Sequence, residues 1–207
     1  MIGISKLYCG TVEASDPLRY GRRSETLPSH LLQFSEDKKP VVVWNLTRRC
    51  NLRCVHCYSQ SEDQANSQEL STAEGQALID DLAHWGVPVL LFSGGELLLR
   101  RDVFTLAQEA TEKGIRTVIS TNGTLISPKV AKELKKIGFS YVGVSLDGIQ
   151  ETHDRFRGMP GAFEAALRGI RHCQEAGIKV GIRLTLHRGN AHDIPHIFDL
   201  AEREGIP

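Results

Sequence analysis

One phrase recurs along this chain and restricts its fold more than any other feature. A helix-like pattern runs into a glycine and an apolar residue, followed by a short apolar, β-branched run that closes on small polar residues. It occurs at Gly86 (GVPVLLFSGGE), Gly114 (GIRTVISTNG), Gly138 (GFSYVGVSLDG) and Gly177 (GIKVGIRLTLH), and opens again at Gly205 (GIP). Each glycine stands where a helix C-cap calls for a left-handed residue. Each run that follows is short and bounded by turn formers, as for strands buried on both faces. Helix, glycine and strand in repetition predict a parallel sheet with right-handed crossovers.

The expected strands are Val41–Leu46, Val89–Ser93, Arg116–Ser120, Tyr141–Ser145 and Lys179–Leu186. The helices between them carry start signals. Ser71 with Glu74 makes a capping box ahead of Ala77, Leu78 and Leu82. Ser127 and Pro128 suit an N-cap and first position for Val130, Leu134 and Ile137. Phe163, Ala166, Ile170 and Cys173 share one face of a further helix, and Ile194, Ile197, Phe198 and Ala201 share another. A doubly wound sheet gathers its phosphate-binding glycines after the first strand. Here polar residues follow every strand, as at the C-terminal rim of a β/α barrel. The pattern therefore predicts an α/β chain, a partial (β/α)6 barrel over residues 41–207 cut off before its sixth strand. Residues 1–40 lack sustained periodicity and read as an extended lead-in with one short hairpin.

Composition narrows the class. Lys and Arg number 25 against 25 Asp and Glu. That balance argues against a cationic nucleic-acid surface or a polybasic membrane tether as the main driver. The 41% hydrophobic content is enough for a core. The longest apolar stretches, such as Val87–Phe92, fall far short of the roughly 20 residues of a membrane helix. The first residues lack a secretory pattern. Five Cys, three of them within eight positions, are not a disulfide framework and point to a reducing compartment, the cytoplasm. No nucleic-acid or membrane partner is expected.

Directly after the first strand stands Cys50-Asn51-Leu52-Arg53-Cys54-Val55-His56-Cys57. A structural zinc site wants four closed ligands, usually in two separated pairs. No fourth Cys is near, and His56 abuts Cys57, a poor geometry for one tetrahedron. Three Cys on one loop suit a [4Fe–4S] cluster whose fourth iron has no protein ligand. Spacing alone favours the cluster and leaves zinc open.

With that triad the chain resembles the radical S-adenosylmethionine superfamily, and other strand ends agree in order: Ser93-Gly94-Gly95-Glu96, Ser120-Thr121-Asn122-Gly123, Ser145-Leu146-Asp147-Gly148 and His153-Asp154-Arg155-Phe156-Arg157-Gly158. The match spans about Val41 to Asn190. It implies that Cys50, Cys54 and Cys57 hold the cluster and that the methionine end of S-adenosyl-L-methionine chelates the open iron. One electron then cleaves the sulfonium to a 5′-deoxyadenosyl radical that abstracts hydrogen from substrate. By the resemblance, the Gly94-Gly95-Glu96 loop binds the methionine ammonium and Arg157 its carboxylate. Physics agrees: adjacent glycines open backbone amides to a ligand, Glu96 supplies negative charge, and Arg157 can grip a carboxylate bidentately. His56, Ser93, Ser120, Asn122, Ser145, Asp147 and Thr185 complete the expected cofactor contacts.

Plainer readings compete at several positions. His56 can face adenine or be a packed ring. Cys173 reads as core and Cys9 as a free thiol. Arg48, Arg49 and Arg53 are solvated charge or partners for acidic substrate groups, and His153, His172, His187, His192 and His196 form no metal-spaced set. Ser145 can be an ordinary strand end.

Asn45 to Gln60 and the lead-in LYCGTVEASDPLRYGRR further resemble the branch of the family that modifies tetrapyrroles. That implies a sirohaem-derived substrate whose acetate or propionate side chains are trimmed in haem or d-type haem biosynthesis. Arg19, Arg22 and Arg23 would be carboxylate partners, and a flavodoxin or ferredoxin the electron donor. Such proteins continue into a C-terminal region whose Cys hold an auxiliary cluster. A peptide-modifying maturase of the same family, and a non-catalytic zinc- or cluster-binding module, are the alternatives.

Overall fold

The computed structural model describes residues 39–64 and 68–207. The lead-in with its hairpin, Cys9, Arg19, Arg22 and Arg23 lie outside the described residues. Val41–Pro207 form one compact unit.

Five strands, β1 (Val42–Asn45), β2 (Val89–Ser93), β3 (Arg116–Thr121), β4 (Tyr141–Ser145) and β5 (Val180–Arg183), make one sheet in the order β1-β2-β3-β4-β5. All four pairings are parallel. Strand order that follows chain order is what successive right-handed crossovers onto one side build, so the sheet is an open barrel wall and not a doubly wound sheet. The crossovers are α1 (Thr72–Trp85), α2 (Val103–Glu112), α3 (Pro128–Ile137), the pair α4 (Glu151–Arg157) and α5 (Ala162–Glu175), with α6 (Ile194–Arg203) after β5.

Local signals account for most boundaries. Ser71 and Glu74 close the capping box at α1, and Ser127 Oγ accepts from Val130 N at α3. Gly86, Gly114, Gly138 and Gly177 all lie at φ between +71° and +94°, the region that lets a helix stop and the chain turn back into the sheet. Two strands are shorter than expected: β1 spans 42–45 rather than 41–46, and β5 ends at Arg183 instead of Leu186. The reason at β5 is competition. Thr185 N donates to Asp147 Oδ1 at 2.7 Å and Asn190 Nδ2 donates to Thr185 O at 2.8 Å, which turns the backbone out of the ladder.

The sheet has two unlike faces. Leu90, Phe92, Ile119, Val142 and Val144 are fully buried among the helices, against residues such as Ile79, Leu106, Leu134, Ile170 and Cys173. Each such side chain contributes about 1.5–3 kcal/mol on burial. The alternate residues Val43, Leu91, Val118, Tyr141 and Ser145 face the inner side, where Val43 is 55% exposed. The strand ends open together onto this inner side. No helix among the described residues is long and apolar enough to cross a membrane.

Candidate metal and cofactor centre

The cysteine loop leaves β1 and is pinned from three directions. At the end of β2, Gly95 N donates to Thr47 O at 2.7 Å and Glu96 N to Arg49 O at 2.8 Å. At the C-terminus of α4, Arg157 O accepts from Arg53 N at 3.1 Å and Phe156 O from Val55 N at 3.0 Å. The returning chain closes the third side, with Cys50 N donating to Glu62 O at 2.9 Å. A Cβ on Gly94 would lie 2.5 Å from Thr47 O, and one on Gly95 2.3 Å from Arg49 O. The paired glycines thus admit the backbone of the cysteine loop. The expectation that both amides stand open to a ligand is corrected at Gly95, whose amide is taken by Thr47.

The thiols differ in environment. Burial raises the Cys50 pKa, against the 3.4 Å hydrogen bond that Leu52 N donates to its Sγ. Burial also raises Cys54, opposed by Arg157, whose Nη1 stands 3.6 Å from Sγ. At Cys57 burial again pushes upward, but hydrogen bonds from Ser59 and Ser61 together outweigh it and bring the thiol down to about 7. Among the described residues, no three His, Cys, Asp or Glu side chains converge closely enough to hold a single ion. Cys173 is buried in α5 with its thiol pushed up to about 12, and belongs to the core.

Around the loop the expected residues fall into two linked groups. In the first, the fully buried Glu96 carboxylate accepts from Thr121 Oγ1 at 2.8 Å, Asn122 N at 2.9 Å and Leu98 N at 3.2 Å. Burial raises its pKa and those donors oppose the rise. Asn122 reaches on to Asn51 Oδ1 at 2.9 Å, tying β3 to the cysteine loop. Glu96, expected to meet an ammonium, is here a clamp between the ends of β2 and β3.

In the second group, Asp147 is fully buried, ion-paired through Oδ2 with Arg157 Nη2, and 3.9 Å from His56 Nε2. His153 accepts from Asp147 N at 3.0 Å, and burial holds its ring down to about pKa 4, hence neutral. Burial also lowers the His56 pKa, against the pull of Asp147. The His56 ring stacks on Phe156 at 4.3 Å, and Phe156 on His187 at 4.1 Å. His56 Nδ1, Arg157 Nε and His187 Nε2 are buried without a hydrogen-bond partner.

Cys50, Asn122 and Glu96 are therefore connected, as are Cys54, Arg157, Asp147, His56 and Thr185. Ser93, Ser120 and Ser145 reach the inner face by strand alternation, with Ser93 buried and the other two half-buried, and among the described residues no side-chain hydrogen bond joins them to either group. Sequence reasoning missed Phe156, His187, Asn51 and Asn190. Asn190 is fully buried and braces the loop after β5 by donating to Asp147 O and Thr185 O, both at 2.8 Å. Its Arg-Gly-Asn setting reads only as a turn.

These features fit a [4Fe–4S] cluster with S-adenosyl-L-methionine beside it. Three thiols share one loop, Arg157 reaches Cys54, and the buried Arg157 Nε and His56 Nδ1 have no hydrogen-bond partner. The inner wall carries small residues, Ser93, Ser120, Gly143 and Gly181, at one level of the sheet.

Comparison with known proteins leads to the same place. The chain is 70% identical over 207 residues to Fe-coproporphyrin III synthase of Methanosarcina barkeri, covering 100% of this chain and 52% of that protein. It is 47% identical over 168 residues to pre-heme d1 synthase of Dinoroseobacter shibae, covering 81% and 42%. The chain thus spans about half the length of these curated relatives. Streptococcus suis SuiB bound to S-adenosylmethionine shares the fold, with a TM-score of 0.68 at 19% identity over 80% of this chain and 38% of that one. The model of the radical SAM superfamily matches residues 44–201, and the chain belongs to that superfamily.

Proposed function

We propose that this chain is the catalytic core of an enzyme that reductively cleaves S-adenosyl-L-methionine and acts on the side chains of a sirohaem-derived tetrapyrrole, trimming acetate or propionate groups in haem or d-type haem biosynthesis. The observation that carries the first half is the cysteine loop, clamped at three sides with Cys54 facing Arg157. The second half is supported by the similarity to Fe-coproporphyrin III synthase and pre-heme d1 synthase, whose names place both in tetrapyrrole synthesis.

When bound, the cluster supplies one electron to the cofactor's sulfonium. This chain's own residues then have separable tasks. Cys50, Cys54 and Cys57 hold the cluster. Asp147 fixes Arg157 through Nη2 and leaves the buried Nε as the donor for the methionine carboxylate. Glu96 acts at one remove, setting Asn122 and the cysteine loop. The His56–Phe156–His187 stack offers a flat face to adenine and keeps water from the cofactor side. The electron donor in this reading is a flavodoxin or ferredoxin, and an auxiliary Fe–S cluster would be held by cysteines outside this sequence.

The test is anaerobic turnover by the full-length protein with reductant, S-adenosyl-L-methionine and candidate sirohaem derivatives. Formation of 5′-deoxyadenosine together with mass loss on a tetrapyrrole side chain is expected. Cofactor cleavage that no tetrapyrrole stimulates, but a short peptide does, would replace this reading with the maturase one.

A further inference from the structure

The inner wall holds a second arginine that none of the expected roles uses. Arg183 closes β5 opposite Ser145 of β4. Its side chain folds back over the neighbouring strand: a Cβ on Gly143 would lie 2.3 Å from its Nε, 2.9 Å from Cδ and 3.2 Å from Cζ. Gly143 pairs in register with Gly181, where a Cβ would lie 2.2 Å from Tyr141 Oη. Two adjacent strands thus omit a side chain at the same level. Tyr141 occupies the space from below and Arg183 from above, each with a polar tip on the inner face.

Among the described residues no acidic side chain pairs with this cation. Arg183 is half-buried, and its guanidinium makes no hydrogen bond or ion pair with any described residue, although its carbonyl accepts from Leu146 N at 2.9 Å. The acids of the site are engaged elsewhere, Glu96 by Thr121, Asn122 and Leu98, and Asp147 by Thr185 and Arg157. A guanidinium partly withdrawn from water needs an anionic partner, and its planar fork suits a carboxylate held bidentately. Arg157 stands beside Cys54 and so serves a ligand at the cluster, whereas among the described residues Arg183 has no hydrogen bond or ion pair with the cysteine loop.

We propose that Arg183, with the Tyr141 hydroxyl beside it, is the receptor for a peripheral carboxylate of the substrate, and that Gly143 and Gly181 are the space that lets the pair lie against the sheet. This rests on the tetrapyrrole reading above and makes Arg183 a specificity-determining residue of the same reaction.

The experiment uses the full-length, anaerobically reconstituted protein titrated with Fe-coproporphyrin III and with its fully esterified form, followed by the Soret band. Wild type should prefer the free acid. Arg183→Gln should bind the acid about 10- to 150-fold more weakly, the loss expected for a hydrogen-bonded charged pair, with ester binding, iron content and S-adenosyl-L-methionine affinity unchanged. Gly143→Ala, which displaces the guanidinium and keeps its charge, should move acid binding in the same direction. Should Arg183→Gln fail to load iron, Arg183→Lys, with the charge but not the fork, serves the same comparison. Equal binding of acid and ester by wild type, or undiminished acid binding by the variants, overturns the assignment and leaves the tetrapyrrole reading standing. Loss of cofactor affinity in Arg183→Gln also overturns it, by moving the residue to the cofactor. If wild type binds neither form, the tetrapyrrole reading falls and the assignment falls with it.

Discussion

Replacing Gly95 with Ala asks how the cysteine loop is held. The new Cβ would sit 2.3 Å from Arg49 O and 2.8 Å from Arg48 O, both backbone atoms that cannot rotate away. Restoring ordinary van der Waals contact needs a shift of about 1 Å in the segment leading straight into Cys50. That shift breaks the bonds from Gly95 N to Thr47 O and from Glu96 N to Arg49 O, each worth about 0.5–1.5 kcal/mol. Overpacking adds about 1–3 kcal/mol. The expected loss is about 2–6 kcal/mol, a large share of the 5–15 kcal/mol typical of a folded domain. Gly86→Ala is the control. Its Cβ meets nothing within 4 Å, so only the left-handed backbone, at φ +80°, is penalised, by about 1–2 kcal/mol. Urea unfolding of the cluster-free chain measures both losses, and iron and sulfide content after anaerobic reconstitution separates them. Gly95→Ala should load iron poorly while Gly86→Ala loads normally. If Gly95→Ala loads iron like wild type and unfolds within about 1 kcal/mol of it, the close approach of the two loops is not what holds the cysteines.

Three further outcomes follow from the same geometry. Glu96→Ala strands buried donors at Asn122 N and Thr121 Oγ1, so it should cost about 2–5 kcal/mol and lower iron loading; loss of cofactor affinity alone, at full stability, would restore a direct ammonium role. Arg157→Gln should weaken S-adenosyl-L-methionine binding about 10- to 150-fold by calorimetry, with iron content retained, and unchanged affinity would remove Arg157 from the cofactor's carboxylate. His153 is neutral in the fold down to about pH 4, against 6.5 in the unfolded chain. Its contribution is therefore present above pH 6.5 and declines as pH falls toward 4, by about 3 kcal/mol. The difference in unfolding free energy between wild type and His153→Asn should track that window, and a pH-independent difference would mean the ring is not buried neutral.

Much of the scaffold is legible in the sequence. Glycine at each helix end, Ser71 with Glu74, and Ser127 with Pro128 are local signals whose mechanism lies within a few residues of chain, and the structure realises them. The strand cores were legible for a related reason: apolar runs such as Val89–Phe92 report burial. What escaped depends on partners distant in sequence. The end of β5 is decided by Asp147 and Asn190 reaching Thr185, so its apolar text runs past the true boundary. The helix α4 has only seven residues, too few for a periodic signal. Gly95 reads as an open amide until Thr47 is seen to occupy it, and the donors that Thr121, Asn122 and Leu98 direct at Glu96 leave no local mark in the sequence. Phe156 and His187 become a stack with His56 only because the turn after β5 folds over α4.

In the proposed reading, Cys50, Cys54 and Cys57 hold one [4Fe–4S] cluster with an iron open to S-adenosyl-L-methionine. Electron paramagnetic resonance of the reduced, anaerobically reconstituted protein, recorded with and without the cofactor, tests it most directly. A preparation with about four irons and four sulfides should give a signal that shifts when the cofactor is added. The signal should vanish in Cys50→Ala, Cys54→Ala and Cys57→Ala, and persist in Cys173→Ala. A tightly bound zinc without sulfide, or a cluster signal indifferent to S-adenosyl-L-methionine, would contradict it.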